Sequence, residues 1–217
     1  MKKSIAVLGL GEYGMSLVRA LNDMGADVLA ADRDEESVNA IADFCVAAVC
    51  TDLEKEENLL SLGLQGMDVV VVSMGRNLEA SILAVAVAKE LDVPLIVAKS
   101  SSARMSSILR KVGANRVIVP EEYAGMRSAS MLISDAVTDY FQVDSNLCLV
   151  EVQPPEAWIG KTQIELNAQN GFPIHIAASK SGDSGWEMAG QEQPVQENSK
   201  LLLVLERKNL SKLGNES

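Results

Sequence analysis

Three glycines and one acid near the start of the chain have the types and spacing to receive an anionic ligand. Gly9, Gly11 and Gly14 lie in Gly9-Leu10-Gly11-Glu12-Tyr13-Gly14. In such a turn the first glycine permits a sharp exit from a strand and the second lets the backbone approach a phosphate; the third lets the following helix pack closely on the strand. A phosphate would rest over the helix N-terminus, where free N–H groups and the helix dipole favour anions. Asp32 follows at about the 20-residue spacing of an acid that accepts both hydroxyls of an adenosine ribose. A carboxylate there disfavours a 2′-phosphate, so NADP is not expected.

These residues need elements to hold them. Ser4 to Leu8 is an apolar run of strand length, Leu17, Val18 and Leu21 line one side of a helix closing at Gly25, and Val28 to Ala31 is a second strand ending in Asp32 and Arg33. Apolar runs at 46–49, 68–72, 94–98 and 117–119 follow. They alternate with helical stretches opening at Asp34, running from Glu54 to Leu62 and from Leu78 to Leu91, and stopping at Gly113. Six strands, each returned by a helix, predict a doubly wound parallel sheet of the Rossmann type. Ligands of such sheets bind at the carboxyl ends of the strands. That rule gathers Gly9, Leu10, Gly11, Glu12, Tyr13, Gly14, Asp32 with its neighbour Arg33, Asp52, Ser73, Met74, Gly75, Arg76 and Lys99 into one candidate site. Arg76 and Lys99 are the basic residues placed to meet phosphate.

At 217 residues the chain suits one larger domain and one small one. An apolar content of 47% suffices for a packed core. The net charge of −11 argues against nucleic acid, whose phosphates would be repelled, and fits a cytosolic protein. Met1-Lys2-Lys3 and the apolar residues after it do not make a signal sequence, because the apolar run stops at Leu8 without a small-residue cleavage pattern. No stretch reaches the ~18 apolar residues needed to cross a bilayer. Cys45, Cys50 and Cys148 are odd in number and form no CxxC pair, so reduced, buried thiols are expected. His175 lies in an alternating, strand-like stretch.

From Met126 the apolar residues Met126, Ala129, Ile133, Ala136, Tyr140 and Val143 recur at alternating spacings of three and four, which predicts a helix over 121–143. It would either cover its own sheet or cross between subunits. Residues 1–143 are then the Rossmann-type domain. Residues 144–207 form a small α+β domain with strands at 147–152, 174–178 and 200–206, and 208–217 a flexible tail. Gly160-Lys161-Thr162 ends like a P-loop, but Pro155 stands where that loop needs its first glycine, so it is read as a turn into a helix.

This order of modules resembles the regulator-of-potassium-conductance (RCK) family, in particular its single-unit KtrA/TrkA-type members. The resemblance is carried by Val7 to Gly14, Glu57-Asn58-Leu59-Leu60-Ser61-Leu62-Gly63, Leu91-Asp92-Val93-Pro94, Lys111 to Glu121 and Gly160-Lys161-Thr162. It implies a cytoplasmic regulatory subunit, peripheral on the inner face of the plasma membrane through its partner. That partner would be a potassium-translocating membrane subunit of the TrkH/KtrB type, under which homodimers assemble to an octameric ring. It implies NAD(H), ADP or ATP at Gly9, Gly11, Gly14, Asp32, Asp52, Leu53, Gly75 and Lys99, and a divalent cation near the nucleotide at Glu121. Some members bind cyclic di-AMP in the small domain; this sequence shows no clear basic anchor for it there apart from Lys180, so it is not expected as a ligand. The sequence departs from the family at Glu12, where many relatives carry a basic residue that reaches the terminal phosphate of ATP. A carboxylate there adds repulsion and leaves NAD(H) and ADP open.

An NAD-dependent oxidoreductase with a minimal second domain is the alternative. Tyr123 and Tyr140 lack a lysine four residues later, as short-chain enzymes require, and the small domain leaves little room for a substrate pocket. A Rossmann-type repressor would need a basic or winged-helix DNA-binding segment, which the sequence lacks.

Overall fold

Each apolar run of the first part of the chain pairs as a parallel strand in the computed structural model, which describes residues 2–169, 171–182 and 184–213. The strands are β1 (Ser4–Leu8), β2 (Asp27–Asp32), β3 (Ala47–Cys50), β4 (Val69–Val72), β5 (Leu95–Lys99) and β6 (Arg116–Ile118), in the order β3-β2-β1-β4-β5-β6. The helices between them are α1 (Glu12–Asp23), α2 (Glu35–Ile41), α3 (Glu56–Ser61), α4 (Leu78–Glu90) and α5 (Ala103–Val112). The chain divides into two compact units between Glu121 and Glu122.

The strands read as unbroken apolar runs because both faces of the sheet are covered. Ile5, Val7, Val28, Ala30, Val69 and Val71 pack in one cluster with Val18 of α1 and Val38 and Ile41 of α2. Ala6, Leu8, Val70, Val72, Ile96 and Ala98 point the other way, against Leu59 of α3, Ala84 and Val85 of α4 and Leu109 of α5. Burying each such valine or leucine contributes about 1.5–3 kcal/mol. The alanine-rich α4 buries Ala80, Ser81, Ala84, Val85, Val87 and Ala88, and small side chains let it lie close on the sheet. Asn77 caps it by accepting from Ala80 N–H at 3.0 Å. Ser102 caps α5 in the same way, from Met105 N–H at 3.2 Å.

The helix predicted over 121–143 is shorter. α6 spans Pro120–Leu132, and the chain then forms β7 (Val137–Gln142). Val137 and Thr138 are β-branched and Tyr140 and Phe141 aromatic, types that favour strand. β7 pairs antiparallel with β8 (Leu147–Val152), setting Tyr140 opposite Val150 and Phe141 opposite Leu149. Glu122 onward therefore belongs to the second unit, not to the first as the 143 boundary implied. Arg127 of α6 grips Asp139 of β7 through Nε–Oδ1 at 2.7 Å and Nη2–Oδ2 at 3.0 Å.

The second unit is a five-stranded antiparallel sheet, β10-β9-β11-β8-β7, where β9 is His175–Ser181, β10 Glu187–Met188 and β11 Ser199–Glu206. The short α7 (Gln163–Gln169) adds Leu166 to a core with Val150, Trp158, Ile174, Leu201 and Leu203. Thr162 and Glu165 form a capping box. Glu165 Oε2 accepts Thr162 N–H at 2.8 Å, and Thr162 Oγ1 accepts Glu165 N–H at 3.3 Å. Gly160 has φ +78, as a turn into a helix requires. The expected flexible tail is partly ordered: Arg207–Lys212 is 3-10 helical, Leu210 and Leu213 are buried in the core, and Ser134 Oγ donates to Leu213 O at 2.5 Å. Residues 214–217 lie outside the described residues. The thiols are free, but only Cys148 is buried; Cys45 is half-buried and Cys50 exposed.

Leu213→Ala should lower unfolding free energy by about 2–3 kcal/mol in urea titrations, whereas a frayed tail would show almost none. The Arg127 hydrogen bond, then the Tyr140 backbone N–H and the Arg127 charge, hold the Asp139 carboxyl below its usual value against the effect of burial. This stabilisation is fully present above the unfolded value near ~3.9 and is lost as pH falls through the lower folded value. Arg127→Met should flatten that acid limb in urea midpoints measured across about pH 2 to 7.

Candidate functional site

At the carboxyl end of β1 the chain turns at Gly9, whose φ of +100 is a left-handed value open to glycine. A Cβ there would also meet Met74 Cγ at 2.8 Å. Gly14, in the first turn of α1, is held to glycine by space. A Cβ at Gly14 would run into the Gly9 carbonyl oxygen and lie 2.9 Å from Ser73 Oγ. Gly11 has φ −63, and a Cβ built there meets nothing within 4 Å. It is exposed and caps α1 without a side chain, so no side chain of its own covers the first N–H groups of the helix. The three glycines thus do separate work: a turn, an open approach and a close contact.

Asp32 reaches this turn from β2. Its Oδ2 accepts Leu10 N–H at 2.5 Å and its Oδ1 accepts Asp34 N–H at 3.0 Å. A carboxylate offers about four acceptor positions, so two remain for hydroxyls of a ligand. Ser73 N–H donates to Leu8 O at 2.8 Å, and Ser73 Oγ bonds the Gly9 carbonyl. Its hydroxyl is committed to the turn itself. Leu10 is buried, while Glu12 is exposed on the first turn of α1.

Lys99 closes the rim at the end of β5. Its stem lies against Gly75, where a Cβ would stand 3.4 Å from Lys99 Cγ and Cδ. Its Nζ lies 5.6 Å from the Tyr13 ring centroid and 2.7 Å from Glu121 Oε1. The Lys99 hydrogen bond is the largest influence holding Glu121 below its usual carboxyl value; its own backbone amide and the charges of Lys99 and Arg76 act in the same direction. Burial raises the Tyr13 hydroxyl.

Other expected residues serve neighbouring structure. Leu53 is buried in the core. Asp52 caps its own loop, Oδ1 accepting Glu54 N–H at 3.1 Å. Arg33 is exposed and pairs with Glu54 at 3.3 Å, and Arg76 is exposed. The sequence did not single out Glu54 or Asn77 as partners. Glu54 Oε1 accepts from Arg33 Nη1 and from Asn77 Nδ2 at 2.8 Å, tying together the loops after β2, β3 and β4. Asn77 carries the signal of an N-cap ahead of a helix; Glu54 carries none. Among the described residues no group of three or more His, Cys, Asp or Glu side chains converges to hold a metal, so Glu121 stands as a lone carboxylate for a cation. Lys200, near Lys180 in the second unit, pairs with Glu151 at 2.7 Å. No helix among them is long and apolar enough to cross a membrane.

The rim offers donors and a cation to phosphate and a carboxylate to hydroxyls. Glu121 already sits on Lys99 as an anion would, and Gly11 leaves room for approach, so the residues fit an adenine nucleotide. Fold and rim define the class: a Rossmann-type domain with a glycine turn, followed by a small antiparallel-sheet unit.

The TrkA-N domain model matches residues 5–120. The chain is 33% identical to Ktr system potassium uptake protein A of Bacillus subtilis over 214 residues, 99% of this chain and 96% of that one. It is 37% identical to Ktr system potassium uptake protein C of the same organism over 84% of this chain and 82% of that one. The chain belongs to the TrkA-N family, among the homologues of the Ktr potassium uptake proteins. Its fold is shared by the GsuK RCK domain (TM-score 0.66, 16% identity, 100% of this chain and 48% of that one). A GsuK channel bound to NAD gives 0.62 at 15% identity, over 100% and 41% of the two chains. GsuK bound to ADP gives 0.52 at 14%, over 63% and 36%. The chain thus spans less than half the length of those GsuK chains.

Gly14→Ala should lower stability by about 1–3 kcal/mol through overpacking, and Gly11→Ala should leave it unchanged within ~0.5 kcal/mol. Urea denaturation of the two variants reads the difference.

Proposed function

We propose that this chain is a nucleotide-sensing regulatory subunit of a bacterial potassium uptake system. It binds NAD(H) or ADP/ATP over the α1 N-terminus and makes or breaks no bond. The observation that carries this reading is the coincidence of an anion-ready glycine turn and a hydroxyl-accepting Asp32 with 33% identity to a Ktr potassium uptake protein along almost the whole chain. Asp32 is oriented by two backbone amides and Lys99 by Glu121, which suits a binding site. A nucleotide shifts such a protein only as far as it binds one conformation better than another.

In this reading the phosphates lie at Gly9 to Gly14 and Lys99, and the ribose hydroxyls on Asp32. Leu10, Glu12, Tyr13, Arg33, Asp52, Leu53, Ser73, Met74, Gly75 and Arg76 border the ligand, largely through backbone. Glu12 is exposed on that helix turn and disfavours the third phosphate of ATP unless a divalent cation, held with the help of Glu121, lies between them. The subunit works in the cytoplasm as homodimers assembled to an octameric ring, docked peripherally under a potassium-translocating membrane subunit.

Asp32→Ala should weaken ADP and NAD binding roughly ten- to hundredfold by calorimetry, the loss of charge-assisted bonds to two hydroxyls, and should remove nucleotide dependence from potassium flux in reconstituted vesicles. Because Asp32 also holds Leu10 N–H, the variant's unliganded thermal midpoint separates turn damage from lost ligand contact. Unchanged affinity would sink the assignment.

A further inference from the structure

Lys99 is fixed in place by its surroundings. Its stem is laid on Gly75, its ammonium lies 5.6 Å from the Tyr13 ring on the first turn of α1, and its side chain is only 17% exposed. A lysine side chain covered to this extent favours an anion beside its ammonium. Glu121 supplies it at 2.7 Å, from a side chain that is 63% exposed. The two partners are unequal: the cation is held, and the carboxylate is free to swing into solvent at the first turn of α6, where the helix dipole still favours it.

We propose that Glu121 is a built-in competitor for the phosphate subsite: its carboxylate neutralises Lys99 and is exchanged for a phosphate of the incoming nucleotide. This rests on the nucleotide reading above and describes the site without a cation, where the effect of Glu121 is opposite to that of a cation ligand. A carboxylate that must be displaced weakens phosphate binding. One that holds a bridging cation strengthens it. The competitor acts on phosphate alone, so a phosphate-free nucleoside binding at Asp32 does not sense it.

The test is calorimetry of adenosine and ADP with the full chain, in chelator so that no cation bridges. Glu121→Gln should bind ADP about fivefold more tightly than the parent chain, the size of a partly exposed ion pair removed, with adenosine unchanged. Glu121→Ala should give the same gain. Lys99→Met should lower ADP affinity toward that of adenosine, and adding Glu121→Gln to it should gain nothing further, as a double-mutant cycle for one shared contact demands. Unchanged or weaker ADP binding by Glu121→Gln, or a gain that persists beside Lys99→Met, overturns the competitor and leaves the nucleotide site standing. A parent chain that binds neither adenosine nor ADP overturns the site itself.

Discussion

The approach of α1 to the carbonyl of Gly9 is the contact on which the rest of the first unit depends. No side chain fits between Gly14 and that oxygen, so the helix starts directly over the end of β1. Ser73 reaches from β4 to the same carbonyl and Asp32 reaches from β2 to Leu10 N–H. Three strands thus hold one turn. The bond from a charged acceptor to a partly buried amide is worth about 1.5–3 kcal/mol, enough to set the turn before any ligand arrives. The switch point of the sheet lies between β1 and β4, and the polar contacts concentrate there because parallel strands on either side send their loops in opposite directions.

Charge is arranged with similar economy. A chain of net charge −11 has no field that draws in an anion from a distance. Local donors must do it instead, and the rim supplies N–H groups of a helix terminus and one shielded ammonium. The other cations near the rim are less committed. Arg33 spends its charge on Glu54 at the surface, with side-chain exposures of 73% and 49%, a pair worth little in water. Lys99 is different because its surroundings, not its partner, fix it.

Much of this was legible in the sequence. The glycine spacing located the turn, and unbroken apolar runs located strands covered on both faces. What could not be read is instructive at β7. Between Val137 and Asp139 the pairing with β8 slips, so the buried residues Val137 and Tyr140 stand three apart and not two, a step that also fits a helix. Among the described residues of the tail the buried apolar anchors are Leu210 and Leu213, too few to stand out in sequence against its lysines and asparagines. The sequence places Asp32 at the end of β2, but its bond to Leu10 N–H leaves no trace in residue type. The same holds for Glu54, whose role arises only when three loops meet.

Glu121 joins these threads. Pro120 starts α6 with its φ fixed and no N–H to satisfy, so the next residue sits in a first turn whether or not its side chain is engaged. A carboxylate in that place has two settings open to it, on Lys99 or in water against the helix dipole. The ammonium has no such choice, since it is fixed between Gly75 and Tyr13. An ion pair with one fixed, shielded member and one exposed, dispensable member is therefore weighted toward exchange. The same pair built with both members buried would resist it, because displacing either would leave a desolvated charge at a cost of several kcal/mol.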